Sequence, residues 1–269
     1  MMADREHRQA EKLSIHPRGM PMPSDRMTSG GWCQRCQKEH SLPLDPARAY
    51  AFQLMDQLDC YGRIDFVLPK ARPINLQCST EYLFRPSGGK MFGVLSCRDG
   101  DGNEVILRAF SGQYNGLWSV EGWVDPLFDQ DAFKNLTRVT EQKIKYMSRE
   151  LTNSSILPEE RQVLIHQRRN LSRKLMYTLH KLYHLVNFRG ESLPLLEVFD
   201  KSMLPPSGTG DCCGPKLLNH AFHHGLYPES MAEFYWGKSN SSGTKKHGYF
   251  YPACGIRCQP ILGFMLCGL

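Results

Sequence analysis

Two cysteines four residues apart, in the run Cys254-Gly255-Ile256-Arg257-Cys258, have the spacing to face one ion. The run is read as a turn entering a helix, where thiolates about one turn apart point the same way. A helix N-terminus favours the thiolate, the form that binds metal. Zinc takes four ligands at tetrahedral angles, so this pair supplies two of them. Cys212-Cys213 adds to it. The pair follows a Pro/Gly turn, PPSGTGD, and opens a stretch read as a helix to His224, with Pro215 in its first turn and Gly225 at its end. Three ligands drawn from these four cysteines, with a fourth position open to water, would make a catalytic type of zinc site. The plain alternative is that two of these thiols are buried core residues.

A second group stands near the start. Cys33-Gln-Arg-Cys36, with His40 four residues on, is half of a zinc ribbon or knuckle. His40 is in reach as a third ligand, and Cys60 or Cys78 as a fourth. The alternative is an exposed, unliganded pair beside a polar leader. His247 lies in the loop leading to Cys254 and is a candidate to approach that site. His220 and His224 share a helix face but stand two to three turns from Cys212, and read as surface or packing residues.

These residues need elements to bring them together. KMFGVLSCRD and NEVILRAFSGQ are strand-like runs joined by Gly100-Asp101-Gly102, the clearest hairpin in the chain. Pro46 to Leu58 reads as an amphipathic helix, and Phe133 to Leu151 and Glu159 to Phe188 as two more, broken at Leu157-Pro158. MAEFYWG, 231–237, is a short strand. The order hairpin, helical insert, helix, strand, helix is that of an α/β domain. A strand between two helices would set both helix starts at one sheet edge, where such domains build sites.

The chain has 269 residues, 41% hydrophobic and 22% charged, enough for one large domain or two small ones. Residues 1–30 read as a disordered leader, 31–79 as a small Cys/His region, and 80–269 as the α/β domain with a helical insert at 130–200. No run of eighteen apolar residues suggests a membrane span, and the leader lacks the apolar core of a signal peptide. A cytoplasmic setting is expected. There the ten cysteines stay reduced, which favours metal binding or catalysis over disulfides. The net charge of +6, with basic residues gathered at 161–181 and 238–246, permits nucleic-acid binding without demanding it.

The motif order resembles that of the zinc nucleobase deaminases. In these a hairpin precedes a helix opening with His or Cys, then one residue, then Glu; a strand follows, and then a helix opening with two cysteines. The resemblance implies a cytidine-deaminase-like three-layer α/β/α sheet, with a helical insertion between the hairpin and the zinc-binding helix. It implies zinc on Cys212, Cys254 and Cys258. CCGPK also looks like the Cys-x-Glu-Pro-Lys opening of some bacterial deaminase-like toxins, which makes Lys216 a substrate-binding candidate. Asn115, after the second hairpin strand, falls where deaminases often place an Asn that reads a ribose; the alternative is a turn that merely ends the hairpin. The sequence departs from the pattern where the proton-shuttling Glu belongs, since Gly214 stands there, and the cysteine pair is spaced one residue wider than usual. Asp211 and Glu233 are the nearby carboxylates that could serve instead.

A second resemblance rests on KMFGVL, LRAFSGQYNG, GTGDCCGPKLLNHAFHHGLYPESMAEFYWGKS and GYFYPACGIRC. These are similar to the N-terminal extension of large bacterial RluA-type RNA pseudouridine synthases, over roughly 80–269. Those enzymes carry catalysis in a following domain, which this sequence does not include. Gly62-Arg63-Ile64-Asp65 echoes the start of their catalytic motif without its continuation. The resemblance implies a setting in RNA metabolism, with RNA or nucleotide ligands and association with RNA-modification enzymes, and does not imply uridine isomerisation. Three readings follow: a zinc-dependent hydrolase of deaminase type, a non-catalytic zinc module binding RNA through its basic stretches, and a thiol enzyme with Cys212 or Cys213 as nucleophile activated by His247.

Overall fold

Alternating side chains and a Gly-rich turn build the centre of the molecule. The computed structural model describes residues 27–67, 75–153, 155–199 and 204–269. Most of the leader, residues 1–26, lies outside them. In chain order the elements are β1 (Thr28–Cys33), β2 (Lys38–Pro43), α1 (Ala47–Tyr61), β3 (Lys90–Arg98), β4 (Glu104–Phe110), α2 (Gln130–Glu150), α3 (Pro158–His180), β5 (His184–Val186), β6 (Ser192–Pro194), α4 (Leu195–Val198), α5 (Cys213–His223), β7 (Tyr227–Trp236) and α6 (Gln259–Met265).

The predicted hairpin forms β3 and β4, and β7 pairs antiparallel with the other edge of β3, giving the order β4-β3-β7. Successive residues on a strand face opposite sides of the sheet, and residues two apart share a side. Phe92 and Val94 of β3, with Ala232, Phe234 and Trp236 of β7, face α1 and its buried Ala51, Leu54, Met55 and Leu58. Leu95, Cys97 and Met231 face the other way, onto Leu217 and Leu218 of α5 and Ile261, Leu262 and Met265 of α6. The sheet therefore carries helices on both faces, as an α/β domain requires. Residues from either side of position 80 contribute to both cores.

Two of the elements read from the sequence have different bounds in the structure. Strand β7 begins at Tyr227, earlier than Met231, because Pro228 sits at a bulge where the missing N–H costs no ladder bond. The helix expected to reach Phe188 stops at His180. Asn187 Oδ1 then accepts the N–H groups of Arg189 and Glu191, and Gly190 takes φ 84°, so the chain turns into the β5–β6 hairpin instead. No helix among the described residues is long and apolar enough to cross a membrane.

The first strand and the last helix meet where α6 crosses β1. A Cβ on Gly31 would lie 2.0 Å from Gln259 O, and one on Gly263 would lie 2.3 Å from the carbonyl of Trp32. Backbone atoms cannot yield as a flexible side chain would. Gly263→Ala is therefore expected to destabilise the fold by about 1–3 kcal/mol, read as a lowered urea midpoint in equilibrium unfolding. An unchanged midpoint would show that α6 can lift away from β1 without cost.

Candidate metal centre

Helix α5 is fixed at its start by close packing and by one buried lysine. Cys212 is its N-cap residue, in extended conformation. A Cβ on Gly93 would come within 2.5 Å of Cys213 Cβ, so only glycine lets α5 lie directly on β3. Lys216, almost wholly buried, donates from Nζ to the carbonyls of Phe110 (3.1 Å) and Gly112 (3.0 Å) and lies over the Phe110 ring. The Gly112 N–H in turn donates to Asp211 O at 2.8 Å. The lysine read as a substrate contact thus staples α5 to the end of β4.

The other limb arrives along the free edge of β7. Gly248 and Tyr251 donate N–H bonds to the carbonyls of Tyr235 and Glu233, at 2.8 and 2.9 Å, and the Tyr235 N–H donates to Tyr249. Three residues past Tyr251 the chain reaches Cys254. The N–H groups of Cys258 and Gln259 both close onto Cys254 O at 3.1 Å, making a tight turn. Of the pair expected at a helix start, only Cys258 is there, as N-cap of α6; Cys254 lies in the turn before it.

The sulfurs of Cys212, Cys254 and Cys258 all lie within 4.8 Å of one another, and those of Cys254 and Cys258 are 3.5 Å apart. Zinc–sulfur bonds of about 2.3 Å at tetrahedral angles set sulfurs about 3.8 Å apart, so the trio fits a shared zinc ion. Cys258 is buried, Cys212 partly so, and Cys254 is exposed, which leaves one side open. Contacts with the Cys212 and Cys258 sulfurs hold the Cys254 thiol far below the ordinary range. Cys212 is raised, chiefly by its bond to Cys254, and Cys258 is raised chiefly by its bond to Cys212. Three thiol sulfurs this close to one another form a cluster that a cation would stabilise.

No protein-family model, curated protein or solved structure matches the chain.

Glu233 stands beside the trio. It projects from β7 on the α5/α6 face, is 5% exposed, and its Oε1 accepts the N–H of Gly214 at 3.0 Å. Burial raises its carboxyl to about 7; the Gly214 N–H opposes this, and the negative charge of Cys254 adds to it. Glu233 and all three thiols also act on Lys245, whose Nζ lies 3.6 Å from the centre of the Tyr251 ring and whose pKa is lowered by burial. Lys245 went unnoticed in the sequence, where it was one of several basic residues in a polar loop.

The other candidates are engaged elsewhere. Asp211 Oδ1 accepts the Tyr183 hydroxyl at 2.7 Å, and burial raises the Asp211 carboxyl. Asn115 occupies a left-handed turn (φ 46°), where its side chain donates to Gln77 O and its carbonyl accepts from the Gln77 amide. His247 accepts the Gly237 N–H on Nδ1 and packs on Trp236 at 4.0 Å. Cys213 is fully buried, its sulfur facing the carbonyls of Met91 and Ala109, and burial raises its thiol well above the ordinary value. Asp65, of the Gly-Arg-Ile-Asp echo, is buried and accepts from Nε and Nη2 of Arg63, each at 2.5 Å.

A second cluster gathers Cys33, Cys36 and His40 with Cys267. The fourth member is therefore neither Cys60, which is exposed, nor Cys78, which is buried near Asp65. Cys267 takes the place because α6 crosses β1 and delivers the chain terminus there.

Proposed function

We propose that the Cys212/Cys254/Cys258 cluster is the zinc site of a hydrolase of the nucleobase-deaminase type, with Glu233 as its proton shuttle. The observation that carries this reading is the 3.0 Å hydrogen bond from Gly214 to Glu233. Gly214 stands two residues after the first ligand, where the deaminase pattern expects Glu. Here a carboxylate from the neighbouring strand bonds the backbone N–H at that position. The antiparallel order β4-β3-β7, the helices on both faces and the meeting of two helix starts support the deaminase-like arrangement.

Zinc held by three thiolates would lower the pKa of a water in its open position towards 7. Glu233 would take a proton and return it to a departing amine, and the burial that raises its carboxyl favours its holding one. The protonated Glu233 can hold the proton on the oxygen not engaged by Gly214. Cys254 marks the accessible side, where a base would enter with Lys245 and Arg257 nearby as positive groups for a phosphate.

The test is ammonia release by the zinc-loaded protein from cytosine- and adenine-containing nucleosides, nucleotides and RNA. Release from at least one class, lost on demetallation and regained with zinc, is the expected outcome. Absence of release from all of them, together with salt-sensitive RNA binding through the basic stretches 161–181 and 238–246, would replace this reading with that of a non-catalytic RNA module.

A further inference from the structure

Helix α6 begins at one cysteine cluster and ends at the other. We propose that Cys33, Cys36, His40 and Cys267 hold a second, structural zinc ion that clamps the N-terminal hairpin to the C-terminal end of the chain. This does not rest on the chemistry proposed for the three-cysteine site.

The scaffold is built for it. Cys33 ends β1, and the turn that follows is closed by the Gln37 N–H on Cys33 O at 2.9 Å, with Gln37 in a left-handed conformation (φ 56°). The turn carries Cys36, and His40 follows on β2, paired with Gly31. Gly263, pressed on the Trp32 backbone, sets α6 against β1; Cys267 follows one helical turn later, and its N–H donates to Phe264 O at 3.1 Å. The four ligating atoms lie within 4.8 Å of one another. Cys36 Sγ and His40 Nε2 are 2.9 Å apart, a thiol–imidazole hydrogen bond. A shared zinc ion would widen this to about 3.6 Å, which rotation of two half-buried side chains covers.

The donor set names the metal. Three thiolates and one imidazole at tetrahedral spacing select zinc over magnesium or calcium, which want oxygen. Four protein ligands leave no open position, the mark of a structural site. Cys33 and Cys267 are both wholly buried, so the ion would be sealed from the inner side. The site joins segments 234 positions apart in sequence, from Cys33 to Cys267. Closing so long a loop is where a metal clip has most to offer.

Zinc content of the full-length chain, purified under reducing conditions, tests the proposal. Cys267→Ser and His40→Ala are each expected to hold one zinc ion fewer per chain than wild type. His40→Cys restores the fourth ligand and should hold the wild-type number. Cys258→Ser should leave this ion in place, which separates failure here from failure of the three-cysteine site. Unchanged zinc in both Cys267→Ser and His40→Ala would overturn the proposal. If these variants do not fold, the wild type serves through iodoacetamide labelling followed by mass spectrometry. Half-buried Cys36 should be protected in the zinc-loaded protein and labelled once a chelator is added. Equal labelling with and without chelator, or a disulfide among Cys33, Cys36 and Cys267 in the reduced protein, would also overturn it.

Discussion

Glu233→Gln is expected to lower turnover about 10²–10⁴-fold, the usual contribution of a positioned acid–base group, with zinc content unchanged. The substitution is close to isosteric. Its amide oxygen can still accept the Gly214 N–H, so the start of α5 keeps its partner. What disappears is the ability to carry a proton. The folded structure should be undisturbed or slightly more stable, because the carboxyl is buried and its charged form disfavoured. Asp211→Asn is the paired control. Asp211 is engaged by Tyr183, so its replacement should change activity far less. Steady-state kcat and KM beside metal analysis check both. Full activity in Glu233→Gln would reduce the residue to a helix-capping role and remove the shuttle from the proposal.

Cys258→Ser is expected to release the ion of the three-cysteine site and the stability that comes with it. Serine differs from cysteine only in oxygen for sulfur, and Cys258 makes no side-chain cap bond to lose, so the start of α6 is preserved and the loss reports the ligand itself. A metal that binds only the folded state stabilises by about 4 kcal/mol at a thousand times its dissociation constant. The variant should therefore melt lower than wild type in excess zinc and hold one ion fewer. Its activity should fall to the level of demetallated protein. A melting temperature and zinc content equal to those of wild type would mean that the three sulfurs meet without sharing an ion.

Much of this arrangement was legible in the chain. Gly100-Asp101-Gly102 between alternating runs announced the hairpin, and β3 and β4 follow it closely. The Gly-rich turn before Cys212 and the turn around Cys254 announced the helix starts, and their sulfurs do converge. What could not be read are contacts that depend on register. Glu233 is nineteen positions from its Gly214 partner, and only the pairing of β7 with β3 and the packing of α5 across both bring them together. Lys216 looked available because a buried ammonium is rare; the two carbonyls that hold it belong to the end of β4 and the turn after it. Cys267 gave no spacing signal, since its companions lie at the other end of the sequence. Strand β1 was hidden by Gly30 and Gly31, which break the alternation that marks a strand; Gly30 lies tight against the β2 backbone and Gly31 permits the crossing of α6.

Helix α6 has seven residues, too few to persist by its own hydrogen bonds in water. Its position is imposed from outside, by the burial of Ile261, Leu262, Phe264 and Met265 and by Gly263 against Trp32, with Cys258 before it and Cys267 beyond it. Nine steps of about 1.5 Å make it a strut roughly 13 Å long between the two groups of sulfurs. A rigid rod of that length passes displacement from end to end with little loss. Changes confined to the hairpin around Cys36 should thus be felt at Cys212 and Cys254, although the two ends have no ligand in common.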